Sequence, residues 1–161
     1  MAFDLFLNCF RNGKEAFANA DAARLVLLSP GIVRDSDEHG HFLTFEDGST
    51  VALFAAHGLV DAGDFTGGLF SLHDFSPFVL DFIYRFAIAA DCVMFPAMKE
   101  NVAILPKPEL ADHLPVEILS EWPSASVSSG AELGSILSGG YEAWRSYRDR
   151  IISQCTNDGA S

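Results

Sequence analysis

Positive charge is scarce in this 161-residue chain: ten Lys and Arg stand against twenty-two Asp and Glu, a net charge of −12. Nucleic-acid binding draws on Lys and Arg to displace phosphate counterions, so this balance argues against a nucleic-acid partner. Cysteine is scarce as well. Cys9, Cys92 and Cys155 are odd in number, widely spaced and without a C-x-x-C pair. That argues against a disulfide framework or a zinc knuckle and fits a reducing cytoplasm. No apolar run is both long and clean enough for a bilayer. The best window, 78–98, contains Asp81, Arg85 and Asp91, each costing about 2.5–3.5 kcal/mol at a membrane centre. The opening residues carry Asp4 and no base before Arg11, unlike a secretory leader. A cytoplasmic protein with no membrane association is expected.

Catalytic signatures are missing too. There is no G-x-S-x-G elbow, and Gly63, Gly67 and Gly68 lack the Lys that completes a phosphate-binding loop. No dinucleotide fingerprint is present, and no cofactor is expected. His73-Asp74 precedes a helix, but neighbours on a strand point to opposite faces. Asp74 and Ser76 are better read as helix capping than as a base and its partner.

What the chain has in quantity is apolar side chains: 49% hydrophobic residues, a mean hydropathy of +0.20 and fourteen Phe. That is ample for a core. Phe3 to Phe10 alternates as a strand does, and Asn12-Gly13 ends it. Residues 15–28 read as a helix stopped by Pro30-Gly31. Residues 41–46 and 49–54 flank Asp47-Gly48, the signature of a two-residue hairpin turn. That register sets Thr44 opposite Val51 and Phe42 opposite Leu53. Both hairpin faces then read as apolar, so cover from two sides is expected, with a homo-oligomer through residues 41–56 as one source. Residues 69–73 form a further strand, Ser76-Pro77 opens a helix running to about Ala90, and two short strands follow at 92–95 and 102–105.

The expected fold is therefore α+β: an antiparallel-rich sheet with helices packed on it, in an elaborated ferredoxin-like order, plus C-terminal helices. The reading assigns 1–123 to the core domain and 124–130 to a Ser-rich linker. Residues 131–161 form a helical extension on the same domain, with an amphipathic helix over Tyr141–Gln154. The opening Phe3-Asp4-Leu5-Phe6-Leu7-Asn8-Cys9-Phe10-Arg11-Asn12-Gly13 resembles that of a group of small bacterial cytoplasmic α+β proteins. There a similar strand leads into a helix and then a hairpin. The resemblance implies that element order and a bacterial origin, and it brings no site residue with it.

Acid is concentrated in one place. Residues 35–64 hold Asp35, Asp37, Glu38, Glu46, Asp47, Asp61 and Asp64 and no Lys or Arg. A run of like charge is relieved by a counter-charge, so these seven are the candidate surface for a basic protein partner. An immunity- or inhibitor-type role against such a partner fits, since complementary charge speeds docking. The alternative is a small divalent-metal-binding protein or enzyme built on Asp35, Asp37, His39 and His41. Asp35, Asp37, Gly40 and Glu46 fall at EF-hand spacing. Against it, His39 sits where an oxygen ligand belongs, and the segment runs into a hairpin rather than a helix.

Overall fold

A computed structural model describes residues 3–37, 40–54, 65–97 and 101–139. The chain order is β1 (Phe3–Asn8), a small ribbon of β2 (Phe10–Arg11) and β3 (Lys14–Glu15), α1 (Ala20–Leu27), β4 (Val33–Ser36), β5 (Gly40–Thr44), β6 (Thr50–Phe54) and β7 (Gly67–Leu72). There follow α2 (Pro77–Ala90), β8 (Val93–Pro96), β9 (Ala103–Leu105), a 3-10 helix (Pro108–His113), α3 (Val116–Glu121) and β10 (Ser124–Ser126). A last helix, α4, covers 130–139.

Eight strands form one sheet in the order β10-β9-β8-β1-β7-β6-β5-β4, and every neighbouring pair is antiparallel except β9 and β10. The segment β8-β1-β7-β6 is the ferredoxin-like core. Within it β1 runs parallel to β6 with β7 between them, and the crossover is made through α1. β5 and β4 extend this core at one edge, β9 and β10 at the other. The fold is the expected α+β class.

Alternation along the strands sorts side chains between two faces. Leu5, Leu7, Val51, Leu53, Phe70 and Leu72 point to the inner face, where α1, α2 and α4 cover them. There Phe70 meets Phe82 and Phe86 edge-on, with ring centroids 6.1 and 5.4 Å apart. α2 begins as read: Ser76 accepts the Phe78 amide, Pro77 follows, and Asp91 ends the helix in the left-handed region. It is largely apolar because it packs on the sheet, α1 and α4, and its exposed side carries the Asp81–Arg85 ion pair. α4 approaches very closely. A side chain on Gly130 would lie 2.7 Å from the Asp81 backbone nitrogen, so only glycine fits that crossing.

Residues 124–130, read as a linker, hold β10 and lead into α4. Ser124 and Ser126 flank the buried Ala125 in β10, and Ser129 caps α4, with its hydroxyl accepting the Glu132 amide. Serine here serves pairing and capping rather than flexibility. Residues 131–139 are helical as expected, whereas Tyr141–Gln154 lies outside the described residues. Among the described residues no helix is long and apolar enough to cross a membrane.

The hairpin is displaced by one residue from the expected register. Thr44 pairs with Thr50, Leu43 with Val51 and Phe42 with Ala52. The Phe45 amide donates to the Ser49 carbonyl and the Gly48 amide to Phe45, with Gly48 at φ +83°. This is a three-residue loop, a turn followed by a left-handed glycine. The Asp47 carboxylate selects it by accepting the Ser49 amide at 2.9 Å and the Ser49 hydroxyl. A one-residue slip exchanges the faces of the two strands relative to each other.

Candidate functional site

That slip builds the most distinctive surface of the chain. Phe42 and Phe54 fall together on the outer face of the sheet, their rings edge-on at 5.9 Å. Gly40 makes room for them, since a side chain there would meet the Phe54 ring at 2.8 Å. The register then continues across the strands. Phe54 lies opposite Leu69, Leu69 opposite Phe6, and Phe6 opposite Phe95, giving one apolar row over β6, β7, β1 and β8. The adjacent row runs Asp35, Phe42, Ala52, Ser71 and Asp4, apolar in the middle with a carboxylate at each end.

Only part of this outer face is covered. At the β8–β9 end, Phe95 is clasped edge-on by Phe10 at 6.1 Å and by Trp122 at 5.6 Å. There the 3-10 helix and α3 bury Val93, Ala103 and Leu105 in a second, smaller core. Toward β4 the cover stops. Phe6 is 47% exposed, Phe42 39% and Val33 70%. Among the described residues, helices cover the inner face of the hairpin, and its outer face is left partly exposed. An antiparallel sheet tolerates one wet face, but wet faces are normally polar, and this one carries aromatic side chains.

The acids read from the sequence do not form one cluster. Asp35 lies on the outer face. Asp37 directly follows β4, where its carboxylate accepts the Gly40 amide at 3.1 Å at the start of β5. Glu46 is at the hairpin tip, with its carboxylate packed near Gly31. Asp47 is exposed, but its carboxylate is taken up by structural hydrogen bonds. Besides Ser49 it accepts the Ser76 hydroxyl, which ties the hairpin tip to the α2 N-cap. These bonds, first the Ser49 and then the Ser76 hydroxyl, hold the Asp47 carboxyl below the usual range. Glu38, His39, Asp61 and Asp64 lie outside the described residues. Asp4 was missed in the sequence, although its alternation with Leu5 in β1 is the signal that puts it on the outer face.

The metal reading gains no geometry. Asp35 pairs with Phe42 and Ser36 with His41, so Asp35 and His41 point to opposite faces. His41 leans on Ser36, Nδ1 to Oγ 2.7 Å. Burial, and then the Arg34 charge, push its pKa down. Among the described residues no three His, Cys, Asp or Glu side chains are placed to hold a metal ion. Asp74 accepts the Ser76 amide at 3.1 Å, a capping contact as read.

Two concavities are lined by described residues. One, of about 440 Å3, lies between the hairpin tip and the start of α2, lined by Asp47, Ser49, Asp74 and Ser76. The other, of about 330 Å3, lies beyond the ends of β9 and β10, lined by Tyr84, Ile88, Lys107 and Glu132. The polar groups facing both are engaged with one another: Asp47 with the two serines, Lys107 with Asp91, and Ser128 with Glu132. The open face, by contrast, presents apolar side chains to solvent beside Asp4, Asp35 and Ser71. Comparison with protein-family models, with the curated proteins and with the solved structures finds no match to this chain.

Proposed function

We propose that the chain is a protein-binding module that docks a basic partner on the open sheet face, with Phe6, Phe42, Phe54 and Leu69 as the apolar contact and Asp4 and Asp35 as charged ends. The observation that carries this reading is the part-exposed apolar row of Phe54, Leu69 and Phe6 on the outer face, beside a second row that holds Phe42 and ends in Asp35 and Asp4. Aromatic side chains supply most of the energy at interface centres. Carboxylates at the rim select partner charge and speed encounter. A second copy of the chain is the less suited occupant, since each copy would bring its net charge of −12 and the same acidic ends. An inhibitor- or immunity-type role toward a basic protein fits such a surface.

An amphipathic peptide of alternating Lys and Leu tests it, with a Glu/Leu peptide as control. Binding is expected for the first alone and weakens as ionic strength rises from about 0.15 M to about 1 M, where the screening length falls to about 3 Å. Phe42→Ser and Asp35→Lys each weaken it, the second with a loss of salt dependence. Equal binding of both peptides, or affinity indifferent to salt, overturns the reading. So does a concentration-dependent dimer that Phe6→Ser dissolves, which assigns the face to a second copy.

A further inference from the structure

β1 and β8 pair antiparallel with Leu7 opposite Met94 and Asn8 opposite Val93. One further step in that register sets Cys9 opposite Cys92. Hydrogen bonds identify the kind of position this is. The Asp4 carbonyl accepts the Ala97 amide from the β8 side, so even-numbered residues of β1 bond toward β8. Cys9 turns the other way, donating its amide to Thr66 and accepting from Ala16, while the Cys92 amide goes to Ala87. Continued one step past its last pair, Asn8 with Val93, the ladder makes Cys9 and Cys92 a non-hydrogen-bonded cross-strand position. There opposed Cα atoms stand about 4.5 Å apart and side chains come closest. That separation lies within the range a disulfide spans, about 4.4–6.8 Å.

The side chains agree with the backbone. Both cysteines are free, buried and in the same core. The Cys9 thiol donates to the Phe17 carbonyl at 3.5 Å, and Cys92 lies against the Ala90 carbonyl, which also accepts the Asn19 amide. The two sulfurs therefore lie within one small knot where β1, the segment before α1 and the end of α2 meet. Burial raises the pKa of both thiols, Cys92 the more strongly, with Asp91 adding to each. At neutral pH they stand as a protonated dithiol, and Cys9 is the readier to ionise. Both sit at the end of the β1–β8 ladder, where strands open most easily.

We propose that Cys9 and Cys92 are a redox pair that closes reversibly to a cross-strand disulfide on two-electron oxidation by a small disulfide. Cys9 loses its proton and attacks the oxidant RSSR, forming Cys9–S–S–R and releasing RS−, which takes up that proton as RSH. Cys92 then loses its proton and attacks the Cys9 sulfur, and the second RS− leaves as RSH. The protein gives up two electrons and two protons, and one RSSR becomes two RSH. Opposed residues in a sheet hold their Cβ atoms about 4.5–5.5 Å apart, closest in non-hydrogen-bonded pairs, so the lower end meets the span of a disulfide. An excess of a reducing thiol returns the closed bond to the dithiol by exchange.

The test uses the whole chain carrying Cys155→Ser, so that only this pair titrates, and hydroxyethyl disulfide as oxidant under native conditions. Expected are the loss of both free thiols, an intact mass lower by two hydrogens, and one linked peptide containing Cys9 and Cys92. The melting temperature rises by about 5–15 °C and returns on adding dithiothreitol. Cys92→Ala should stop at a Cys9 mixed disulfide with no linked peptide. Thiols that survive the oxidant while the chain is folded, or that form two separate mixed disulfides, overturn the proposal. So does linkage that needs denaturant.

Discussion

Two phenylalanines on adjacent strands test the assignment of faces. Phe70 in β7 is wholly buried on the inner face, and Phe6 in β1 is 47% exposed on the outer face. A phenylalanine side chain buries about 150–250 Å2, which at about 25 cal/mol/Å2 is worth about 4–6 kcal/mol when complete. Alanine keeps part of this, and the walls of the cavity left by Phe70→Ala, Phe82 and Phe86 among them, cannot close it. The expected cost is about 3–5 kcal/mol. For Phe6→Ala about half the area is at stake, and the space left is open to water, so no cavity term adds. About 1–2 kcal/mol is expected. Urea unfolding followed by far-UV circular dichroism reads both, as midpoint shifts at unchanged slope. Against a total stability of about 5–15 kcal/mol, Phe70→Ala takes away a large share and Phe6→Ala a small one. Equal costs refute the reasoning, because they mean that the outer face is as buried in solution as the inner one.

The lowered pKa of Asp47 gives a pH dependence. A carboxyl depressed on folding contributes stability that is present above its unfolded value near 3.8 and is lost as pH falls through the folded value. Asp47→Asn should flatten the acid limb of the stability curve, read as denaturation midpoints from neutral pH down to pH of about 3, and an unchanged limb contradicts the role given to this side chain. Gly130 and Gly134 of α4 separate two kinds of close approach. Gly130→Ala meets the backbone of α2, which cannot give way, and should cost about 1–3 kcal/mol. Gly134→Ala meets only the tip of the Leu80 side chain, 2.7 Å away. There the gain in helix propensity, about 1 kcal/mol, should offset the shift, and equal losses at both sites in thermal melts count against the packing described.

How much was legible in the sequence follows from how local each signal is. α2 was read to the residue at its start because Ser76-Pro77 encodes its own cap. The core order was legible because alternation and helical spacing are local patterns. The hairpin was legible as a hairpin and not in its register. Asp47-Gly48 suits a two-residue loop as well as a three-residue one, and the choice is made by the bonds from Ser49 and Ser76, the latter twenty-nine residues away. β4 escaped because all four of its residues are exposed at the sheet edge and leave no alternation to read. The proposed pairing of Cys9 with Cys92 is invisible in sequence spacing, since it depends on β1 and β8 being in register.

The same register ties the two proposals to one strand. β1 is the central member of the ferredoxin-like core, and each of its residues is committed by parity. Leu5, Leu7 and Cys9 go inward, Asp4 and Phe6 outward. Its neighbour β8 obeys the same rule, with Met94 inward and Phe95 outward opposite Phe6, and the buried Cys92 directly precedes it. A disulfide between Cys9 and Cys92 closes a loop of about 84 residues and by chain entropy stabilises the fold by about 4–5 kcal/mol. It would also fix the two strands that carry Phe6 and Phe95. An outer face held by a closed β1–β8 ladder loses less conformational freedom when a partner docks than one whose ladder frays at its end. Oxidation should then tighten binding of the Lys/Leu peptide by slowing its release. Peptide dissociation unchanged between the dithiol and disulfide forms would show that the two features share a strand without sharing a function.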